Sequence, residues 1–178
     1  MKTPIRIFAI LGGLVAAALI VWVALDSGDS KGEGGDDHGG EAEIVSVSSL
    51  RKAAAAQDAP IYWAGLTADT ELELSQPSAE RTYVRYLPPG VEAGDPRPFL
   101  TVGSYRFEDP TGALHSRGSQ PGGVLASAPG DGVVYFDRND PKSVYLAYPD
   151  TEVEIEVFAP EFKEALQLVT DGRIVPVE

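Results

Sequence analysis

Side chains able to do chemistry are few and scattered in this chain. It has no cysteine and two histidines, His38 and His115. Nucleophilic catalysis needs an activated nucleophile next to an oriented base. Ser116 follows His115 directly, and adjacency in sequence does not build a triad, so His115 reads as an exposed loop residue. His38 stands beside Asp36 and Asp37, but a lone histidine in an acidic tract reads as solvated rather than as a metal ligand. Asp137, Asn139 and Asp140 offer oxygen ligands for Ca²⁺ without the glycine and terminal glutamate of an EF-hand loop. Turn formation explains them better. Glu152, Glu154 and Glu156 could imitate the carboxylate pair of a glycosidase. They alternate with Val153, Ile155 and Val157, which reads as a strand with a solvated acidic face. No nucleophile elbow, zinc-protease helix, phosphate loop or dinucleotide fingerprint occurs. The expectation is therefore no catalytic residue, no metal site and no cofactor.

Aromatic side chains are better candidates for recognition. Tyr62, Trp63, Tyr83, Tyr86, Tyr135, Tyr145 and Tyr148 all fall in segments that read as strands. Alternation puts Tyr83 and Arg85 on the face opposite Val84 and Tyr86. If exposed, Tyr83 and Arg85 form a patch for stacking or for binding a carboxylate on a ligand or partner.

The element that must place these groups in the cell is at the other end of the chain. Ile7 to Leu25 is an uncharged apolar run of 19 residues. About 20 helical residues cross a bilayer core. Lys2 and Arg6 precede the run, and Asp26 and Asp29 follow it. The positive-inside rule then puts the stub 1–6 in the cytoplasm and the C-terminal domain outside, in the cell envelope. The run is longer than a usual signal-peptide core, and its end offers no small-x-small cleavage site. An uncleaved single-pass anchor in the lipid bilayer is expected. Gly12, Gly13, Ala16 and Ala17 have small-xxx-small spacing, a face on which two such helices could pack as a homodimer.

Residues 26–43 hold seven acids, one lysine and no large apolar side chain. Such a stretch cannot bury enough surface to offset chain entropy and reads as a disordered linker, with a reach of ~20–25 Å. The whole chain carries a net charge of −13. The linker contributes −6, and residues 44–178, with 11 Lys/Arg and 20 Asp/Glu, contribute −9. Nucleic-acid binding needs a basic footprint and is excluded. Anionic headgroups repel the linker and hold the domain off the surface.

Residues 44–178 are the right size for one domain. An N-terminal helix capped by Ser48 or Ser49 is expected over Leu50–Ala56, ended by Pro60. Strands are expected at 60–64, 70–74, 81–87, 99–107, 133–137, 143–148 and 152–158, with a short closing strand at 174–177. A C-terminal helix over 160–170 carries Phe162, Ala165, Leu166 and Val169 on one side, with Gly172 suited to its C′ position. Residues 108–123 hold two prolines and several glycines and read as a long loop with room for one helical turn. The fold class is α+β, a mostly antiparallel sheet with a helix at each end. Two segments echo each other: Ile61-Tyr62-Trp63-Ala64 leading to Asp69–Leu74, and Val144-Tyr145-Leu146-Ala147 leading to Asp150–Ile155. They suggest a duplicated hairpin.

The stretches PIYWAGL, TYVRYLPPG, GDPRPFLTVGSY, SVYLAYPDTEVEIEVF and GRIVPV resemble a family of uncharacterised, single-pass membrane-anchored actinobacterial proteins. The resemblance covers most of residues 44–178 and implies neither cofactor nor catalytic residues. Relatives in that family carry a helix where this chain has Pro110 to Gly123. The function expected is non-enzymatic binding of an envelope protein or glycan. The alternatives are a glycan-acting enzyme using carboxylates, and a passive accessory subunit of a membrane complex.

Overall fold

The computed structural model describes residues 40–178. The stub, the span 7–25 with its small-residue face, and the linker as far as residue 39 lie outside the described residues. No helix among the described residues is long and apolar enough to cross a membrane.

The elements run β1 (Gly40–Val45), α1 (Val47–Ala55), β2 (Tyr62–Trp63), β3 (Glu71–Ser78), β4 (Arg81–Leu87), β5 (Thr101–Arg106), α2 (Pro110–Gly118), β6 (Gly123–Ala128), β7 (Gly132–Asp137), β8 (Ser143–Ala147), β9 (Val153–Phe158), α3 (Phe162–Thr170) and β10 (Val175–Pro176). Eight strands form one antiparallel sheet in the order β1-β3-β4-β5-β9-β8-β7-β6, and β2 pairs with β10. Two meanders thus meet at the β5–β9 pair, which joins residues about fifty positions apart in sequence.

One sheet face makes the core. Leu72, Leu74, Val84, Tyr86, Val102, Val134, Val144, Leu146, Val153, Ile155 and Val157 are all buried on it, as strand alternation requires. Ala165, Leu168 and Val169 of α3 and Leu50 of α1 close over them. Tyr86 ties the small sheet to the large one: its hydroxyl accepts from Ala64 N at 2.7 Å and donates to Gly65 O at 3.1 Å. α3 ends as expected. Gly172, at φ +68°, donates to Val169 O, and Arg173 donates to Leu168 O at 2.9 Å, the paired bonds that satisfy a helix's last carbonyls.

Four sequence expectations need correction. β1 begins at Gly40, inside the stretch read as linker. It is an edge strand held by main-chain bonds to β3, which need no apolar side chains. α1 starts at Val47 because Ser46, not Ser48 or Ser49, caps it by accepting from Ser49 N at 3.1 Å. Residues 108–123 are not one long loop, and the helix within them, Pro110–Gly118, runs well beyond a single turn. Asp109 caps α2 by accepting from Gly112 N at 2.9 Å, and Pro110 takes its first turn. β6 then begins at Gly123. The stretch therefore carries a helix at Pro110–Gly118. The hairpin duplication also fails. β8 pairs with β9, whereas β2 pairs with β10 and β3 with β1 and β4. What the two copies share is local: Thr70 and Thr151 hydroxyls each donate to a carbonyl three residues back, Thr67 O and Tyr148 O.

Candidate functional site

The second face of the sheet carries the polar groups, and cross-strand register lines them up. One row runs Ser75, Tyr83, Gly103, Glu156, Tyr145, Tyr135 and Leu125 across seven strands. The flanking rows bring Glu73 opposite Arg85, and Tyr105 opposite Glu154. Since direct cross-strand neighbours are within side-chain reach, each row can become a chain of interactions.

At the β3–β4 end, Arg85 Nη1 donates to Glu73 Oε1 at 2.7 Å. Arg85 Nη2 donates to the carbonyls of Asp95 (2.8 Å) and Arg97 (3.0 Å). Gly94 N donates to Glu73 Oε2 at 2.6 Å. The loop after β4 is thereby fastened over the pair, leaving the Glu73 side chain 1% exposed and Arg85 15%. Arg97 binds Asp95 through its main chain and guanidinium, and these bonds hold the Asp95 carboxyl down to about 2. Arg85 and Arg97 both lie against the Phe99 ring, at 5.6 and 5.3 Å.

At the centre, Gly103 is what allows the row to close. The Tyr105 ring lies across it: a Cβ at 103 would stand 2.8 Å from the Tyr105 hydroxyl oxygen. Tyr105 meets Tyr83 edge to face at 5.8 Å. Its hydroxyl donates to Glu156 Oε2 at 2.6 Å, and Tyr145 donates to Glu156 Oε1 at 3.3 Å. Each oxygen of Glu156 thus receives one phenol. Burial, then the Glu156 charge, pushes both hydroxyls far above the ordinary tyrosine range.

At the β9–β7 end, α2 packs on β6, β7, β8 and β9. Leu114 is fully buried beneath it. Arg117 in its last turn pairs with Glu154 and lies over the rings of Tyr145 (4.9 Å) and Tyr135 (5.3 Å). Burial raises the Glu154 carboxyl above its usual range, against the lowering effect of Arg117. Glu154 and Glu156 are consequently half-buried parts of a network, not the solvated face the alternation suggested; only Glu152 is exposed.

Of the expected patch, Tyr83 is half-buried on this face and Arg85 is turned into the Glu73 pair. They share the face, but Arg85 is not the exposed cation that alternation implied. Sequence reasoning missed Arg117 and Tyr105; it named their partners Glu154, Glu156, Tyr83, Tyr135 and Tyr145, but not that they join in one network. The one local signal was Asp109-Pro110, a cap followed by a first-turn proline. Asp137 Oδ1 accepts from Asn139 N at 2.8 Å, as expected of a turn. Among the described residues no three His, Asp or Glu side chains group as a metal site would require.

A groove of about 380 Å³ opens elsewhere, between α2 and the β6–β7 hairpin, lined by His115, Leu125, Ser127, Asp131 and Val133 among others. His115 is exposed there, as expected, but stands on α2 rather than in a loop. Arranged this way, the polar face fastens α2 and the β4–β5 loop to the sheet, while the groove stays open to solvent. No family model, curated protein or solved structure matches this chain.

Proposed function

We propose that this chain is a non-enzymatic interaction domain of the cell envelope, tethered by residues 7–25 with its C-terminal domain outside the membrane. The anchor reading rests on the uncharged run, the cations before it and the acids after it. The observation that favours binding over glycan cleavage is the engagement of the polar face. Glu73 is held by Arg85, Glu154 by Arg117 and Glu156 by two phenols. A glycan-cleaving pair needs one carboxyl free to give a proton and another free to attack or to activate water, and these carboxylates are committed to structure. The groove and the open strand beside it are among the surfaces the domain offers to solvent.

The test is the full chain in native membranes. Protease added from outside is expected to remove the domain, and crosslinking followed by purification to bring down an envelope protein or glycan. A domain cleaved only after the membrane is breached, or an intact chain recovered alone, overturns the reading. Retained turnover of an envelope glycan that Glu154→Gln abolishes would install the enzyme in its place.

A further inference from the structure

The sheet has two edges, and they are built differently. β1 carries Glu41 and Glu43, both exposed, and its pairing with β3 is interrupted between Gly40 and Glu43. Charges and bulges of this kind keep an edge from pairing with another strand. β6, at the other edge, reads GVLASA, with no charge and no proline. Its register with β7 is unbroken over six pairs, and Leu125, Ala126 and Ser127 are exposed.

The direction of its free main-chain groups follows from one bond. Arg138 N donates to Gly122 O at 2.9 Å, so residues 122 and 138 form a hydrogen-bonded pair. Antiparallel pairs alternate, which turns the N–H and C=O of Leu125 and Ser127 away from β7. Gly123 N is already taken by Gln120 O. The open edge therefore presents two donors and two acceptors, spaced two residues apart and centred on Ala126.

That spacing is self-complementary. We infer that a second copy of this chain docks on β6, the two β6 strands pairing antiparallel about a two-fold axis at Ala126. Leu125 then stands opposite the second copy's Ser127 and exchanges two hydrogen bonds with it, and the reciprocal pair does the same. The two Ala126 residues face each other at the close, non-hydrogen-bonded position, where small side chains fit. An axis perpendicular to the sheet keeps α2 of both copies on one side. Leu125, 41% exposed, thereby comes beside the second copy's Ser127, at the groove lined by His115, Ser127 and Val133. Knob and hole lie on the same strand, as an isologous contact requires.

Each domain carries a net −9, but no charge sits on the contacting strand itself. β6 brings no ionised group, and the two Asp131 turns lie at opposite ends of the paired strands. A six-residue strand is ~20 Å long, beyond the ~8 Å screening length at physiological salt. Two paired strands bury less than the roughly 1,200–2,000 Å² of a stable interface. Confinement of both copies to one membrane supplies the missing effective concentration, and in that respect the inference rests on the tethered reading.

The chain has no cysteine, so a single introduced one reports its own neighbours. In the full chain in isolated membranes, treated with a copper oxidant, Ala126→Cys is expected to give a disulfide dimer. Its Cα atoms would be ~4.5 Å apart, within disulfide range. Ile44→Cys on β1 is the control, and about tenfold less dimer is expected from it. Adding Ser127→Pro removes an outward N–H without touching the β7 ladder, and the dimer should disappear while thermal unfolding stays unchanged. If that variant does not fold, Leu125→Asp in the same background should give the same loss. Dimer no greater than from Ile44→Cys, a mixed adduct of another mass in place of the homodimer, or a dimer that survives both substitutions overturns the inference. Because the oxidant is added, the cross-link forms on either side of the membrane. Its failure is thus separable from failure of the tethered reading, which protease access decides.

Discussion

Replacing Arg117 with methionine removes the charge that Glu154 faces while keeping an apolar stem over Tyr135 and Tyr145. Breaking a fully buried ion pair from one side costs about 3–5 kcal/mol, and an exposed pair is worth about 0–1. The side chains here are 12% exposed for Glu154 and 30% for Arg117, so water covers part of the loss and about 2 kcal/mol is expected. The guanidinium also leaves two aromatic rings, at ~0.5 kcal/mol each. The total, about 2–3 kcal/mol, corresponds to a fall in melting temperature of roughly 8–10 °C for a domain of this size. The loss should depend on pH with a defined sign. Burial already raises the Glu154 carboxyl, and Arg117 is what lowers it; without Arg117 it rises further. A carboxyl with a raised folded value binds its proton more tightly in the folded state. Stability is then highest below the ordinary glutamate range and is lost as pH rises through the folded value. Arg117→Met should therefore be most destabilised at neutral pH and recover toward pH ~5. Adding Glu154→Gln should restore most of the loss at pH 7. Circular dichroism melts of the full chain in detergent across this range measure all three. A variant within ~0.5 kcal/mol of the parent at pH 7, or a loss equal at both pH values, refutes a desolvated pair beneath α2.

Tyr86, Tyr105 and Tyr145 are held protonated well above the ordinary tyrosine range, chiefly by burial. The unfolded chain ionises first, so stability should fall above pH ~10 by about 1.4 kcal/mol per pH unit for each of them. The tyrosinate absorbance of these three should appear together with unfolding rather than before it. Leu114→Ala, at a fully buried position under α2, should cost about 2–5 kcal/mol; a loss below ~1 kcal/mol would mean α2 is not docked. Gly103→Ala would put a methyl 2.8 Å from the Tyr105 hydroxyl oxygen and swing the ring off Glu156. A loss of about 1–2 kcal/mol is expected, and an unchanged tyrosine titration would count against the stacked arrangement.

Legibility in the sequence followed the range of the interactions. β4 was expected at 81–87 and occupies Arg81–Leu87, because β-formers bounded by Pro88-Pro89-Gly90 are a local signal. The apolar side of β9 and the C′ glycine of α3 were readable for the same reason. α2 was not. Gly112 and Gly118 lower its helix propensity, and what stabilises it is Leu114 and Arg117 docking on strands that come later in the chain. Glu154 and Glu156 show the limit most clearly. Alternation correctly put them on the face away from the core, but whether that face meets water depends on α2 and on Tyr105 of a distant strand.

By itself the sequence determined an uncharged run long enough to span a bilayer, an acidic tract after it, and an α+β domain without a recognisable catalytic motif. These are properties of composition and of periods two and 3.6, which a chain carries whatever its neighbours. Only the tertiary structure decided that Glu156 lies between Tyr105 and Tyr145, that Arg85 turns inward to Glu73, and that β6 is the uncharged edge. Each depends on strand order and register between segments far apart in the chain, where a shift of one residue would send every side chain to the other face.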